Sequence, residues 1–476
     1  MAFGKNFSRR QFLTTAAMAA GGTLLAACQP KVVEVEKVVT QIVKEEVIVE
    51  GTPQIVEKIV EKVVEVAAPA EKAVDVRYMW WGSEQQRAID MQLELFKDLA
   101  PNINMNSELV PWAQYWDKLW TALAGGDAPD TFWLNMSNFA SLVAKDTLMN
   151  LQPLLDAEEK LKNDWELNFD SLKAAYKFEG DAYSWPRDYD TITLAVNMSL
   201  LEEAGLSLPD SANDFSAWDW VMCKEYATAM TKKEGDRTTQ YGMVASNTSQ
   251  TGWFNWVYSN GGTVLNEDKT EFTMNEAPAV EALREYTSYR REGMAPGSEA
   301  LQTMGESDQF VTGRVGLMHI GSWNVGTLNE QVVDFEWDAL PIPYAPTGNS
   351  ICMIHGLGNT IAKSTKVAEA AFTWVSYLGS FAGSGVLGNS DTVIPSRADT
   401  APLWFSPQFK PDNRDLFLTW TDKSMFYPNT AEPTSAQWNK FITDEMTLVL
   451  EEGKDVQQAM DDAKKSIDDV LAGRAV

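Results

Sequence analysis

The sequence predicts a two-lobed α/β fold, and three observations lead to it. From Ala73 onward, strand-like and helix-like patterns alternate, the mark of an open α/β sheet whose ligands sit beyond the carboxyl ends of the strands. About 400 residues follow Ala73, too many for one hydrophobic core and comfortable for two. In the run Thr191 to Val196, residues Ile192, Leu194 and Val196 share one face by period 2, as expected of a strand crossing from one half to the other.

The first residues read as an address. Ser8-Arg9-Arg10-Gln11-Phe12-Leu13 has the form of a twin-arginine export signal, and the small-residue apolar run from Ala16 to Ala27 is too short to span a bilayer. Leu25-Ala26-Ala27-Cys28 resembles the bacterial lipoprotein cleavage box. That resemblance implies a signal peptide over residues 1–27, Cys28 as the lipidated first residue, and a lipid anchor on the outer face of the cell membrane. An uncleaved hydrophobic anchor is the alternative.

Residues 28–72 are a low-complexity Val, Ile, Glu and Lys segment, expected to be a tether. Val56, Ile59, Val63 and Val66 recur at three- and four-residue steps, which would suit a helical or coiled-coil stalk able to oligomerise. Abundant β-branched residues and the break at Gly51-Thr52-Pro53 argue against one long helix.

Composition narrows the function. Charged residues make up 22% and hydrophobic ones 45%, an ordinary globular interior. The net charge is −28, and removing Lys5, Arg9 and Arg10 with the leader makes it more negative still. Such a surface repels nucleic acid, so no nucleic-acid partner is expected. After Cys28 only Cys223 and Cys352 remain, and an exported location permits their pairing without requiring it. The sequence has no CxxC and no His pair at metal-ligand spacing, so neither metal nor cofactor is expected.

Element by element, Ala73 to Gly82 reads as a first strand ending in Trp80 and Trp81, and Glu84 to Leu99 as a helix with Ser83 as N-cap. Asn104 to Val110 is a second strand and Trp112 to Ala124 a second helix. The break Gly125 to Asp130 leads to a third strand, Thr131 to Asn135. Tyr176 to Asn197 follows as a Gly-Asp turn, an aromatic strand edge, a Pro-Arg-Asp-Tyr-Asp loop and the crossing strand. Beyond it, Ser199 to Ala204 and Trp218 to Thr231 are helical, and Tyr241 to Val244 is a strand. Trp253 and Trp256, three apart, share a helical face. Val315 to Ile320 and Phe335 to Pro343 are strands; Lys366 to Gly379, Trp438 to Leu450 and Val456 to Leu471 are helices.

Gly180, Tyr183, Pro186, Asp188, Asp190, Thr191, Leu194 and Asn197 stand where a recurring segment has them in extracellular solute-binding proteins of ABC importers, the carbohydrate-type family that includes maltose-binding protein. Val196 stands where that family has Tyr. Phe310, Gly313, Arg314, Met318, Gly321, Ser322, Trp323 and Gly326 resemble a second family segment, with Arg314 for Lys and Leu317 for Ala. Leu340 to Pro343, a return crossing at His355 to Thr360, the turn Ile394-Pro395-Ser396 and the closing helices follow in the family's order. The resemblance implies a type II periplasmic-binding-protein-like fold, with open α/β sheets joined by crossing hinge strands. Lobe 1 would be 73–190 and 357–388; lobe 2 would be 191–356 and 389–476.

Sugar recognition needs flat aromatic platforms for C–H faces and planar polar groups for hydroxyls. Of 18 Trp, the candidates are Trp80, Trp81, Trp133, Trp253 and Trp323 at strand ends or in loops, and Trp256 on the helical face it shares with Trp253. Asn135, Arg187, Asp188, Asp190 and His355 are the candidate polar partners, and Arg187 would also suit an acidic sugar. His319, inside an apolar strand, is expected in the core. The resemblance implies a non-enzymatic receptor that captures a carbohydrate by lobe closure and delivers it to the permease of an ABC transporter. The alternatives are an exported glycan-active hydrolase and a same-fold receptor for a peptide or phosphodiester.

Overall fold

The computed structural model describes residues 37–49, 52–64, 73–209, 215–235, 237–405, 410–419, 423–430 and 435–474. The expected signal peptide and the expected lipidation site Cys28 lie outside them. Strands β1 (Lys37–Val49) and β2 (Thr52–Val64) pair antiparallel in unbroken register, from Lys37 opposite Val64 to Val49 opposite Thr52. The helical alternative for this segment is therefore not what forms. β-Branched residues lose less in extended backbone than in a helix.

The remaining strands are β3 (Val74–Trp80), β4 (Ile103–Leu109), β5 (Thr131–Asn135), β6 (Lys177–Phe178), β7 (Asp181–Ala182), β8 (Ser184–Asp190), β9 (Ile192–Asn197), β10 (Lys232–Glu234), β11 (Arg237–Met243), β12 (Val315–Gly321), β13 (Trp337–Leu340), β14 (Cys352–Ile361), β15 (Ile394–Pro395) and β16 (Ser424–Phe426). One sheet has seven strands in the order β15-β8-β14-β5-β3-β4, with β16 on β14; the other has five, β10-β11-β12-β9-β13. Strands β3 and β5 run parallel, as do β11 and β12, while β14 is antiparallel to both β5 and β8. Helices follow the strands, giving the α/β alternation expected.

The crossing is abrupt. β8 belongs to the seven-stranded sheet and β9 to the five-stranded one, with Thr191 alone between them. Its carbonyl accepts from Ser322 N and its hydroxyl donates to Phe417 O, 2.9 Å away. The chain returns from β13 to β14. The alternation of Ile192, Leu194 and Val196 is real, but both faces of β9 are buried.

Two local expectations change. Pro-Arg-Asp-Tyr-Asp is not a loop: it forms most of β8, every residue of which is buried. Leu357 pairs with Asp188 whereas Gly358 pairs with Pro186, so Arg187 is the extra residue of a β-bulge. Ser83 is not the helix cap. Gly82 occupies that place at φ 87°, a left-handed conformation that favours glycine, and leads through the turn Ser83–Gln85 into helix Gln86–Leu99. Cys223 and Cys352 are both buried and do not form a disulfide. No helix among the described residues is long and apolar enough to cross a membrane.

Candidate ligand-binding cleft

A cleft of about 860 Å³ opens at the carboxyl ends of β3 and β5. One wall is aromatic. Helix Trp112–Gly125 carries Trp112, Trp116 and Trp120 at four-residue spacing, which puts all three on one face. Tyr115, on the buried face, donates its hydroxyl to Trp133 O at 2.7 Å and fixes the helix over β5. Trp81, just past β3, stands among these rings at 5.3 Å from Trp112 and 5.7 Å from Trp116. The pairs are tilted or edge-on, the arrangement ring quadrupoles favour, and Trp112 remains 53% exposed.

Polar groups form the other surfaces. Asn135 ends β5 and caps helix Met136–Ala144, its Oδ1 accepting from Asn138 N at 3.2 Å, and it faces the cleft. The segment Asn247 to Thr251, after β11, supplies a row of amides and hydroxyls. Gln250 Nε2 donates to Asp190 Oδ1 at 2.9 Å, and Ser249 Oγ meets the Tyr427 hydroxyl at 2.8 Å. The His355 ring packs edge-on against Tyr427. Trp323, half-buried, packs on Ala88, Leu387 and Val393 at one end. A Cβ on Gly321 would lie 2.0 Å from the Trp323 ring, so glycine is needed there for close approach.

Beneath the wall lies a mostly buried charged layer whose two acids reach the cleft. The β8 bulge aims Arg187 at Trp133, with its guanidinium 4.0 Å from the ring centroid, where cation–π attraction is strong in a desolvated site. Arg187 ion-pairs with Asp188 and donates from Nη2 to Gln85 Oε1 at 2.7 Å. Asp188 Oδ1 accepts from Leu357 N at 3.1 Å. Burial pushes the Asp188 carboxyl up, opposed by Arg187 and the Leu357 amide. Asp190 is pushed well above its ordinary range, by burial first and by the charge of Asp188 second. His355 is driven down to about 4 by burial and is neutral at physiological pH.

Of the residues expected at the site, Trp81, Asn135, Asp188, Asp190, Trp323 and His355 line the cleft. Trp80, Trp133, Arg187, Trp253 and Trp256 do not. Trp80 and Trp133 are fully buried behind Trp81; the Trp80 indole donates to Ser107 Oγ and the Trp133 indole to the Tyr78 hydroxyl. Arg187 is buried, and its guanidinium is turned to Asp188, Gln85 and the Trp133 ring, which removes the donor fork expected for an acidic sugar. Trp256 is core: it packs on Trp220, Tyr286 and Tyr289 and donates to His319 Nε2 at 3.1 Å, while Trp253 packs on Phe254. His319 lies in that core as expected.

Sequence reading missed Trp112, Trp116, Trp120, Gln250 and Tyr427. The i, i+4, i+8 spacing of the three Trp was a readable signal, since so many indoles on the outer face of a helix expect a ligand or partner. Gln250 and Tyr427 carried none.

Residues 81–383 match the family described as bacterial extracellular solute-binding protein. A binding protein of Brucella abortus (strain 2308) is 23% identical over 255 residues, covering 53% of this chain and 59% of its own length, and one of Brucella suis biovar 1 matches equally. The match thus spans less than two thirds of those curated relatives. Among solved structures, an ABC substrate-binding protein of Listeria monocytogenes in complex with cycloalternan has a TM-score of 0.74 at 23% identity, covering 85% of this chain and 100% of that one. The GacH receptor of Streptomyces glaucescens, solved unliganded and with acarbose, has 0.72 at 19%, covering 84% and 100%. Maltose-bound MalE3 of T. maritima has 0.71 at 20%, covering 83% and 99%. The fold is that two-lobe periplasmic-binding-protein architecture.

Proposed function

Because this chain belongs to the bacterial extracellular solute-binding proteins, we propose that it is a carbohydrate receptor that closes on a sugar or oligosaccharide and hands it to an ABC transporter permease. The observation that carries the reading is the ladder of Trp81, Trp112, Trp116 and Trp120 facing the amides and hydroxyls of Asn247 to Gln250 across one cleft. Sugar rings present apolar C–H faces to the indoles and a rim of hydroxyls to the polar row. Solved relatives of the same fold that hold cycloalternan, acarbose and maltose support the ligand class.

Closure would turn on Thr191 and on the return strand β14. The moving bodies are the seven-stranded and the five-stranded sheets with their helices; the expected bound of the second lobe at 389 is corrected, because Ile394 and Pro395 pair with β8 and Arg397 ion-pairs with Asp164, which keeps that stretch with the first lobe. Ligand favours the closed form by the difference between its affinities for the two forms. Export through the twin-arginine signal, a lipid anchor at Cys28 and residues 28–72 as a tether complete the proposal. No covalent step is needed: Asp188 is committed to Arg187 and the Leu357 amide, so it and Asp190 do not make a free acid/base pair.

Titrating the full-length protein with mono- and oligosaccharides, followed by Trp fluorescence and product analysis, tests this. Saturable change with the sugar recovered intact is expected. Altered sugar would establish the hydrolase, and silence across all sugars with response to peptides or phosphodiesters would move the fold to another solute.

A further inference from the structure

The charged side chains that line the cleft are all acidic. Glu84, Asp188 and Asp190 line it, and among the described lining residues there is no Lys or Arg. Nearby cations are already engaged: Arg187 is held by Asp188, Gln85 and the Trp133 ring, and Lys145 sits 5.3 Å over the Trp120 ring while donating to Ser141 Oγ. His355 is neutral. Asp190 differs from Asp188 in what holds it. It is 8% exposed and its contacts are neutral donors, Gln250 Nε2 and the His355 amide, with no ion pair.

A buried carboxyl without a cation is costly to ionise, and an anion brought into a cleft with no Lys or Arg among its described lining residues gives up hydration without gaining a counter-charge. A cation brought there gains one. The indole faces of the ladder likewise attract positive charge.

We propose that the cleft selects its glycan by charge: it admits neutral rings, prefers a ring bearing a protonated amino group placed at Asp190, and rejects glycans carrying carboxylate, sulfate or phosphate. This rests on the carbohydrate reading and names the substrate class within it. Binding an amino sugar would favour ionised Asp190, so a proton should leave as the ligand enters, and the apparent binding enthalpy should vary with the ionisation enthalpy of the buffer.

The test is a competition. Full-length protein is offered an equimolar mixture of maltotriose, cellotriose, the glucosamine trimer of chitosan and trigalacturonate, and the retained sugars are identified by mass spectrometry. Retention of the neutral or amino trimers with trigalacturonate excluded is expected, and Asp190→Asn should narrow the preference for the amino over the neutral trimer by roughly tenfold, the scale of one close charge contact. Retained trigalacturonate overturns the proposal while leaving the carbohydrate reading intact. Retention that ignores charge in both proteins, or a ranking unmoved by Asp190→Asn, also overturns it. No sugar retained from any class counts against the carbohydrate reading itself and takes the proposal down with it.

Discussion

Replacing Trp112 with Ala separates a binding surface from a structural one. The indole is 53% exposed, so of the roughly 250 Å² that a Trp can bury about half faces the cleft. A sugar ring stacked on one face would cover roughly 60 Å². At about 25 cal/mol per Å² that is about 1.5 kcal/mol, or roughly tenfold in Kd. The loss to the unliganded protein should be smaller, about 1 kcal/mol, because Trp81 and Trp116 flank the gap and can lean into it. Isothermal titration with whichever glycan the protein retains gives the first quantity and urea unfolding of the free protein gives the second. Trp112→Phe, which keeps a flat ring, should recover most of the affinity. An affinity unchanged within twofold for Trp112→Ala, or a stability loss above about 3 kcal/mol, would refute the platform assignment.

The other substitutions follow the same division. Trp133→Ala should destabilise the protein by about 3–5 kcal/mol, since a fully buried ring is lost and Arg187 loses the face it rests on; a shift below about 1 kcal/mol in urea unfolding would return Trp133 to the ligand. Asp188→Ala leaves Arg187 charged and buried without its anion, an expected loss of about 3–5 kcal/mol, and a variant as stable as the parent would mean that the pair is not formed. For pH, the His319 imidazole is held down to about 4 by burial, whereas an unfolded His titrates near 6.5. As pH falls from about 6.5 to 4 the unfolded chain takes up a proton that the folded chain refuses, so His319 lowers stability by about 1.4 kcal/mol per pH unit in that window and has no such effect above it. Asp188 and Asp190, raised in the fold, act with the opposite sign, but they are present in both proteins. The difference between parent and His319→Gln should therefore shrink or invert as pH falls through the window, and a constant difference from pH 7 to 4 would remove the buried histidine as its cause.

How much of this could be read from the chain depends on what each feature needs. The strand Thr131–Asn135, the crossing at Thr191 and the helix Val456–Leu471 depend on local period and punctuation, and those are written in the sequence. The β8 bulge was invisible because Pro186 and two acids look like a loop. It is the pairing with β14 that makes them a strand, and pairing partners some 170 residues away leave no local mark. The site was half legible for a similar reason. A Trp at a strand end can face out, as Trp81 does, or sit one layer behind, as Trp133 does, and the choice is made by what packs above it.

That choice explains why the buried Trp133 still matters to binding. Tyr115 donates to its carbonyl and so fixes the helix that carries Trp112, Trp116 and Trp120, while Arg187 rests on its indole and ties up Asp188. Both the position of the ladder and the absence of a free guanidinium in the cleft are thus set from one residue of β5. In Trp133→Ala the Tyr115 bond to the main-chain carbonyl remains, so a loss of affinity would come through the lost indole under Trp81 and Arg187 and together with the loss of stability, whereas in Trp112→Ala affinity should fall while stability largely holds. If the two variants lost affinity and stability in the same proportion, the layered arrangement of platform over support would not be what organises this cleft.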